Sequence, residues 1–225
     1  MFCSTCGKQV EDNAVTCSSC GASLTAPTRT AFAGEAADKV KVASTDALHA
    51  FKLFATNPVG GLSSAFDSLG QDRALGVGIT FGALLALCVL LGVYRLVPAW
   101  GRPQGFGGFV RILVVAVVPF VSLFGATILG RLGFRGHGSF GHDSFIAGTS
   151  LLPFAVVAIV GGVLGAGNIE VVAVVALFAV CLNILMLFAG LSRISKISEQ
   201  SATLAVPLML IASAWLSKII YSAML

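Results

Sequence analysis

Cys3, Cys6, Cys17 and Cys20 form two C-x-x-C pairs with ten residues between them, and a glycine, Gly7 or Gly21, closes each pair. Each C-x-x-C turn presents two thiolates on one tight loop, and two such turns facing each other complete a tetrahedral all-cysteine zinc site. The glycines permit a positive φ, which turns backbone N–H groups toward the sulfurs. Four thiolates close the coordination shell, whereas a catalytic zinc keeps an open position, so the expected ion is structural Zn2+. Iron fits the same ligands chemically. Redox C-x-x-C chemistry is less favoured, because the thioredoxin-like scaffold that normally carries it is absent. Residues 1–24 are too few for a core, and metal binding on the order of 10–16 kcal/mol would fold them. One base, Lys8, against Glu11 and Asp12 does not make a nucleic-acid surface.

Other residues that could do chemistry are sparse. His137, His142 and Asp143 fall close together between two apolar runs. Their spacing on a glycine-rich stretch is not a recognised ligand pattern, so a solvated loop is expected rather than a second metal site. Asn183 lies alone in an apolar run, where an interhelical hydrogen bond is its expected role. Cys88 and Cys181 read as small apolar fillers. No serine or threonine has a His or Lys placed to activate it, so no enzyme is expected. With almost no ionisable residue inside the apolar runs, proton-coupled transport is not expected either.

The elements that must carry these residues follow from composition. Of 225 residues, 56% are hydrophobic and 11% charged, against about 25% charged in a soluble domain. Most of the chain must therefore face lipid. A span needs about 20 apolar residues, and five runs qualify: 74–97, 112–130, 144–167, 171–192 and 203–224. Helix is the geometry that satisfies every backbone polar group within one segment. The expected fold is an all-α polytopic membrane protein, a five-helix transmembrane bundle with a small N-terminal metal module. Before the bundle, residues 25–44 read as a flexible linker. Residues 45–73 read as amphipathic, with stripes at Leu48, Phe51, Phe54, Ala55 and at Leu62, Ala65, Phe66, Leu69, split by "NPVGG". Such a segment lies in the membrane interface or covers protein, and the residues do not choose between the two. Pro119, Pro153 and Pro207 fall inside spans and should kink them. Gly78-x-x-x-Gly82 and Gly161-x-x-x-Gly165 offer small-residue faces for internal packing or self-association.

Residues 1–73 carry six Lys/Arg against seven Asp/Glu, and residues 74–225 carry eight against three. The excess sits in the loops, which is a topology signature rather than a nucleic-acid footprint. Arg73, Arg131, Arg135, Arg193 and Lys196 flank one side, and Arg95, Arg102, Arg111 and Lys218 the other. Reduced thiolates persist in the cytosol, so a cytoplasmic N-terminus is expected. The N-terminus shows no signal-peptide pattern, and the first span is expected to target the chain.

The start "MFCSTCGKQVEDNAVTCSSCG" resembles the zinc ribbon found at the N-terminus of many bacterial membrane proteins. Most of residues 50–225 resembles the Yip family (Rab/Ypt-interacting membrane proteins) and its bacterial relatives. That likeness rests on "NPVGGL" before the membrane, on five spans, and on "GHGSFGHDSFIAGTSLLPF", with Gly138, Ser139 and Phe140 leading into a span bearing Pro153. It implies a non-enzymatic protein that shapes membranes or docks partners. A bacterial chain has no Rab partner, so the trafficking role does not transfer. The expectation is an adaptor in the bacterial inner membrane whose ribbon, residues 1–24, docks a protein. The alternative is a permease or lipid-handling protein with the ribbon as regulator.

Overall fold

The computed structural model of the chain describes residues 6–9, 17–21, 29–96, 105–165 and 168–224. The chain divides into two compact units, Met1–Val42 and Ala43–Leu225. The helices are α1 (Arg29–Thr56), α2 (Gly61–Leu96), α3 (Gly105–Gly133), α4 (Phe140–Ser150), α5 (Leu152–Leu164), α6 (Ile169–Ala189, continued by a π-turn over Gly190–Ile194) and α7 (Glu199–Met224). Five segments are long and apolar enough to cross a membrane: Gly61–Arg95, Gly105–Gly133, Phe140–Leu164, Ile169–Ile194 and Glu199–Ala223. This is the all-α, five-span architecture read from the sequence.

One stretch differs from that reading, and another decides between its alternatives. Residues 29–44 of the expected linker are helical and open α1. Alanine, the best helix former, recurs through them, and no proline interrupts them. The segment 45–73 takes the second of the two placements the sequence left open and packs on protein, because both halves enter the core. Ala47, Ala50 and Phe54 are buried on α1, and Leu62, Ala65, Phe66 and Leu69 on α2. The second stripe is the one expected from the sequence. The first is rotated, since Leu48 and Phe51 face outward. At the turn, the Asn57 side chain accepts from the Gly60 N–H at 2.8 Å and its carbonyl accepts from the Gly61 N–H at 2.8 Å. α1 therefore doubles back into α2 as a hairpin. Gly70, at φ 71° and ψ 173°, kinks α2. Phe54 meets Phe81 and Phe145 with ring centroids 6.0 and 6.3 Å apart, and Phe66 meets Phe145 edge-on at 5.5 Å. Each such pair adds about 0.5–1.5 kcal/mol beyond area burial.

The core of the bundle is a parallel contact. A Cβ on Gly78 would run into Ser144, one on Gly148 into the Gly78 backbone, and one on Gly92 would come within 2.6 Å of the Ala158 carbonyl. Contacts that advance together along α2 and α4–α5 mean that the two run in the same direction. Small residues let the backbones approach where lipid gives helices no hydrophobic reason to associate. Gly82 instead seats the Phe120 ring of α3. Both glycines of the first small-residue face are thus used inside the chain. α3 and α7 run antiparallel, with Met209 against Gly130 and Ser213 and Ser217 against Ser122.

Replacing Gly148 with Leu should force α2 and α4 apart. Overpacking costs about 1–3 kcal/mol, and here the obstructing atoms are backbone. Thermal unfolding in detergent, followed by circular dichroism, should show a lowered midpoint. Gly125→Ala, where a Cβ meets nothing within 4 Å, should melt with the wild type. Equal melting of the Gly148→Leu chain would show that the close contact holds nothing together.

Candidate metal centre and the buried polar network

The ligand sulfurs of Cys6, Cys17 and Cys20 all lie within 4.8 Å of one another, and no other group of three potential metal ligands occurs among the described residues. Cys6 Sγ and Cys17 Sγ are 3.7 Å apart. Two sulfurs of a zinc tetrahedron with bonds of 2.3 Å stand about 3.8 Å apart, so the donor set fits zinc. No disulfide joins these cysteines. Cys3, the fourth expected ligand, lies outside the described residues. Gly7 and Gly21 adopt φ of 71° and 70°, as the spacing required. In the second turn the Gly21 N–H bonds the Cys17 carbonyl at 2.8 Å. The Cys17 side chain is buried, yet its thiol pKa is lowered. The backbone N–H groups of Ser19 and then Cys20 favour the thiolate, and burial opposes them. The chain thus helps to prepare the anion a metal needs.

The His–Asp stretch is not a solvated loop. α4 begins at Phe140, so His142 and Asp143 lie in its first turn and are buried, while His137 remains exposed. Asp143 is fully buried and takes a fork from Arg131, with Nε 3.1 and 2.9 Å from its two oxygens and Nη2 at 2.9 Å. The sequence hid this pair because it forms across a turn: Arg131 closes α3 and Asp143 opens α4. The spans therefore hold more ionisable groups than expected. A carboxylate in the first turn of a helix also meets the positive end of the helix dipole.

His142 and Ser139 make a contact that resembles a nucleophile with its base. His142 Nδ1 lies 3.1 Å from Ser139 Oγ, but it also accepts from the Ser139 N–H at 3.1 Å. The pair closes the N-terminus of α4 as a reciprocal cap. Asp143 turns to Arg131, and no carboxylate orients the imidazole, which packs on Phe66 at 4.6 Å. Asn183 has the expected interhelical bond, from Nδ2 to the Ser150 carbonyl at 2.8 Å. Tyr221 O–H bonds the Val115 carbonyl at 2.9 Å, a contact the sequence reading missed. Its signal was Pro119, which lacks the N–H that Val115 would otherwise receive.

Residues 2–24 match the zinc-ribbon domain family. With the cysteine geometry, this makes the N-terminal module a zinc ribbon on a chain that carries five membrane-spanning candidates. No curated protein and no solved structure matches the chain.

Cys17→Ser should abolish stoichiometric zinc, measured by metal analysis of the purified full-length protein. Gly21→Ala should weaken zinc binding about five- to thirtyfold, because a left-handed φ costs a non-glycine residue about 1–2 kcal/mol. A Cβ there meets nothing within 4 Å, so no clash confuses the reading, and a chelator competition titration measures it. In the membrane domain, Asp143→Asn should destabilise the protein by about 3–5 kcal/mol, whereas the double change Arg131→Met/Asp143→Leu should recover most of that loss. Thermal unfolding of the single and double variants measures the coupling.

Proposed function

We propose that the chain is a non-enzymatic membrane adaptor or organising protein, in which the zinc ribbon docks a protein partner and the five-span bundle anchors it. The observation that carries this reading is the preassembled Cys6/Cys17/Cys20 cluster in a unit separate from the membrane domain. A metal-stapled module of this size has too little surface for a deep active site, and its ligand set is closed by four thiolates when Cys3 joins. What it offers is a rigid exposed knob. The Yip-like features of residues 50–225 support the same reading, because that family organises membranes and partners. The membrane is read as a bacterial inner membrane with the ribbon in the cytoplasm, on the reduced thiols and on the Arg73, Arg131, Arg135, Arg193 and Lys196 side of the bundle. On this reading an odd number of crossings would set the N-terminal end of α2 and the C-terminal end of α7 on opposite faces.

The test is gentle solubilisation of the full-length chain and identification of co-purifying proteins, with the wild type set beside Cys17→Ser/Cys20→Ser. Both chains should remain in the membrane fraction after alkaline extraction. A specific partner should be lost only from the double serine variant. Identical partner profiles would remove the docking role from the ribbon.

A further inference from the structure

Residues from α2, α3, α5, α6 and α7 line one cavity of about 490 Å3, among them Pro119, Phe154, Asn183, Ser213, Ala214 and Ser217. This lies within the range of about 300–1,000 Å3 typical of small-molecule sites. None of its lining side chains is charged, and three are polar: the Asn183 amide and the Ser213 and Ser217 hydroxyls. Ala214 is exposed, so the cavity reaches the outer face of α7, where Leu208, Ile211 and Trp215 are also exposed. That face belongs to a helix apolar enough to cross a membrane, and its environment is lipid.

The polar atoms retain bonding capacity. Asn183 uses one amide hydrogen on Ser150, and its second hydrogen and its oxygen have no partner among the described residues. Ser213 and Ser217 both bond Ser122 Oγ, at 3.0 and 2.9 Å, and Ser122 also reaches the Pro119 carbonyl at 3.2 Å. A hydroxyl has one hydrogen. If Ser122 gives its own to Pro119, the other two serines donate to Ser122 and keep lone pairs for an incoming donor. The cavity thus presents neutral donors and acceptors at one place within an apolar wall. A carboxylate or phosphate would meet no cation there and would be desolvated without compensation. A hydroxyl can donate to the serines or to Asn183 Oδ1 and accept from Asn183 Nδ2.

We propose that this cavity binds an uncharged membrane lipid, a long apolar chain ending in a hydroxyl, which enters from the bilayer beside Ala214. The site is independent of the ribbon and of whatever the ribbon docks.

The experiment uses the full chain in liposomes and three photoactivatable probes with the same diazirine-bearing chain: a primary alcohol, the alkane and the phosphate monoester. Mass spectrometry locates the labelled residues. The alcohol should label α6 and α7 around Asn183 and Ser213 about fivefold more than the alkane, the ratio one net hydrogen bond gives, and unlabelled alcohol should compete. Ser213→Ala/Ser217→Ala should lower the alcohol toward the alkane level, with Asn183 keeping the remainder. Ala214→Phe, which fills the mouth, should remove the labelling of both. If Ala214→Phe does not fold, the serine pair decides. Equal labelling by alcohol and alkane in the wild type would overturn the proposal, as would preference for the phosphate ester or an unchanged pattern in the serine variant. Cys17→Ser/Cys20→Ser should label like the wild type, so failure here and failure of ribbon docking give different results.

Discussion

Lipid supplies no hydrogen bonds, so a backbone carbonyl freed inside a span must find a donor from the protein. Two of the helix irregularities among the described residues free such carbonyls and are repaired from another helix. Pro119 has no N–H for Val115, and Tyr221 of α7 supplies a hydroxyl instead. At the α4–α5 junction the Phe154 N–H turns to Leu151, which strands the Ser150 carbonyl, and Asn183 of α6 caps it. Each repair comes from a different helix, so each break also becomes a tie between helices. The same economy shapes the interior. Ser122, Thr127, Asp143, Thr149, Ser150 and Asn183 are buried, while leucines, valines and isoleucines cover the outside. The polar side chains add specific contacts to an interior that also packs apolar ones, Phe81, Phe145, Leu123 and Leu187 among them.

The ribbon solves the opposite problem. In water, a module of two dozen residues cannot bury enough apolar surface to offset its conformational entropy. Metal–sulfur bonds replace the core, and two glycines at positive φ shape the turns that hold the sulfurs. The protein thus joins two units whose stability comes from different chemistry, one from ligation and one from close helix packing with internal polar repair.

Much of this is legible in the sequence, for identifiable reasons. The cysteines announce themselves because ligand spacing is local. The spans do so because hydropathy is additive along a helix. The start of α4 was hidden because "GHGSFGHD" has the composition of a loop, and only Arg131, on another helix, makes Asp143 tolerable there. The buried face of α1 was misread because the large Leu48 and Phe51 outweighed the small residues beside them. Ala47 and Ala50 point inward since small residues allow close approach, while Leu48 and Phe51 point out. The Pro119–Tyr221 tie links residues about a hundred positions apart, and no local pattern reports it.

The order of the chain adds a consequence to the Arg131–Asp143 fork. Arg131 ends one span and Asp143 begins the next, with only a short turn between them. The two charges leave the ribosome almost together. α3 and α4 can therefore enter the bilayer as a hairpin whose ions are already matched, so neither charge need wait unpaired in hydrocarbon for a later helix. The far end of the α2 and α4–α5 contact, Gly92 on Ala158, needs the rest of the third span.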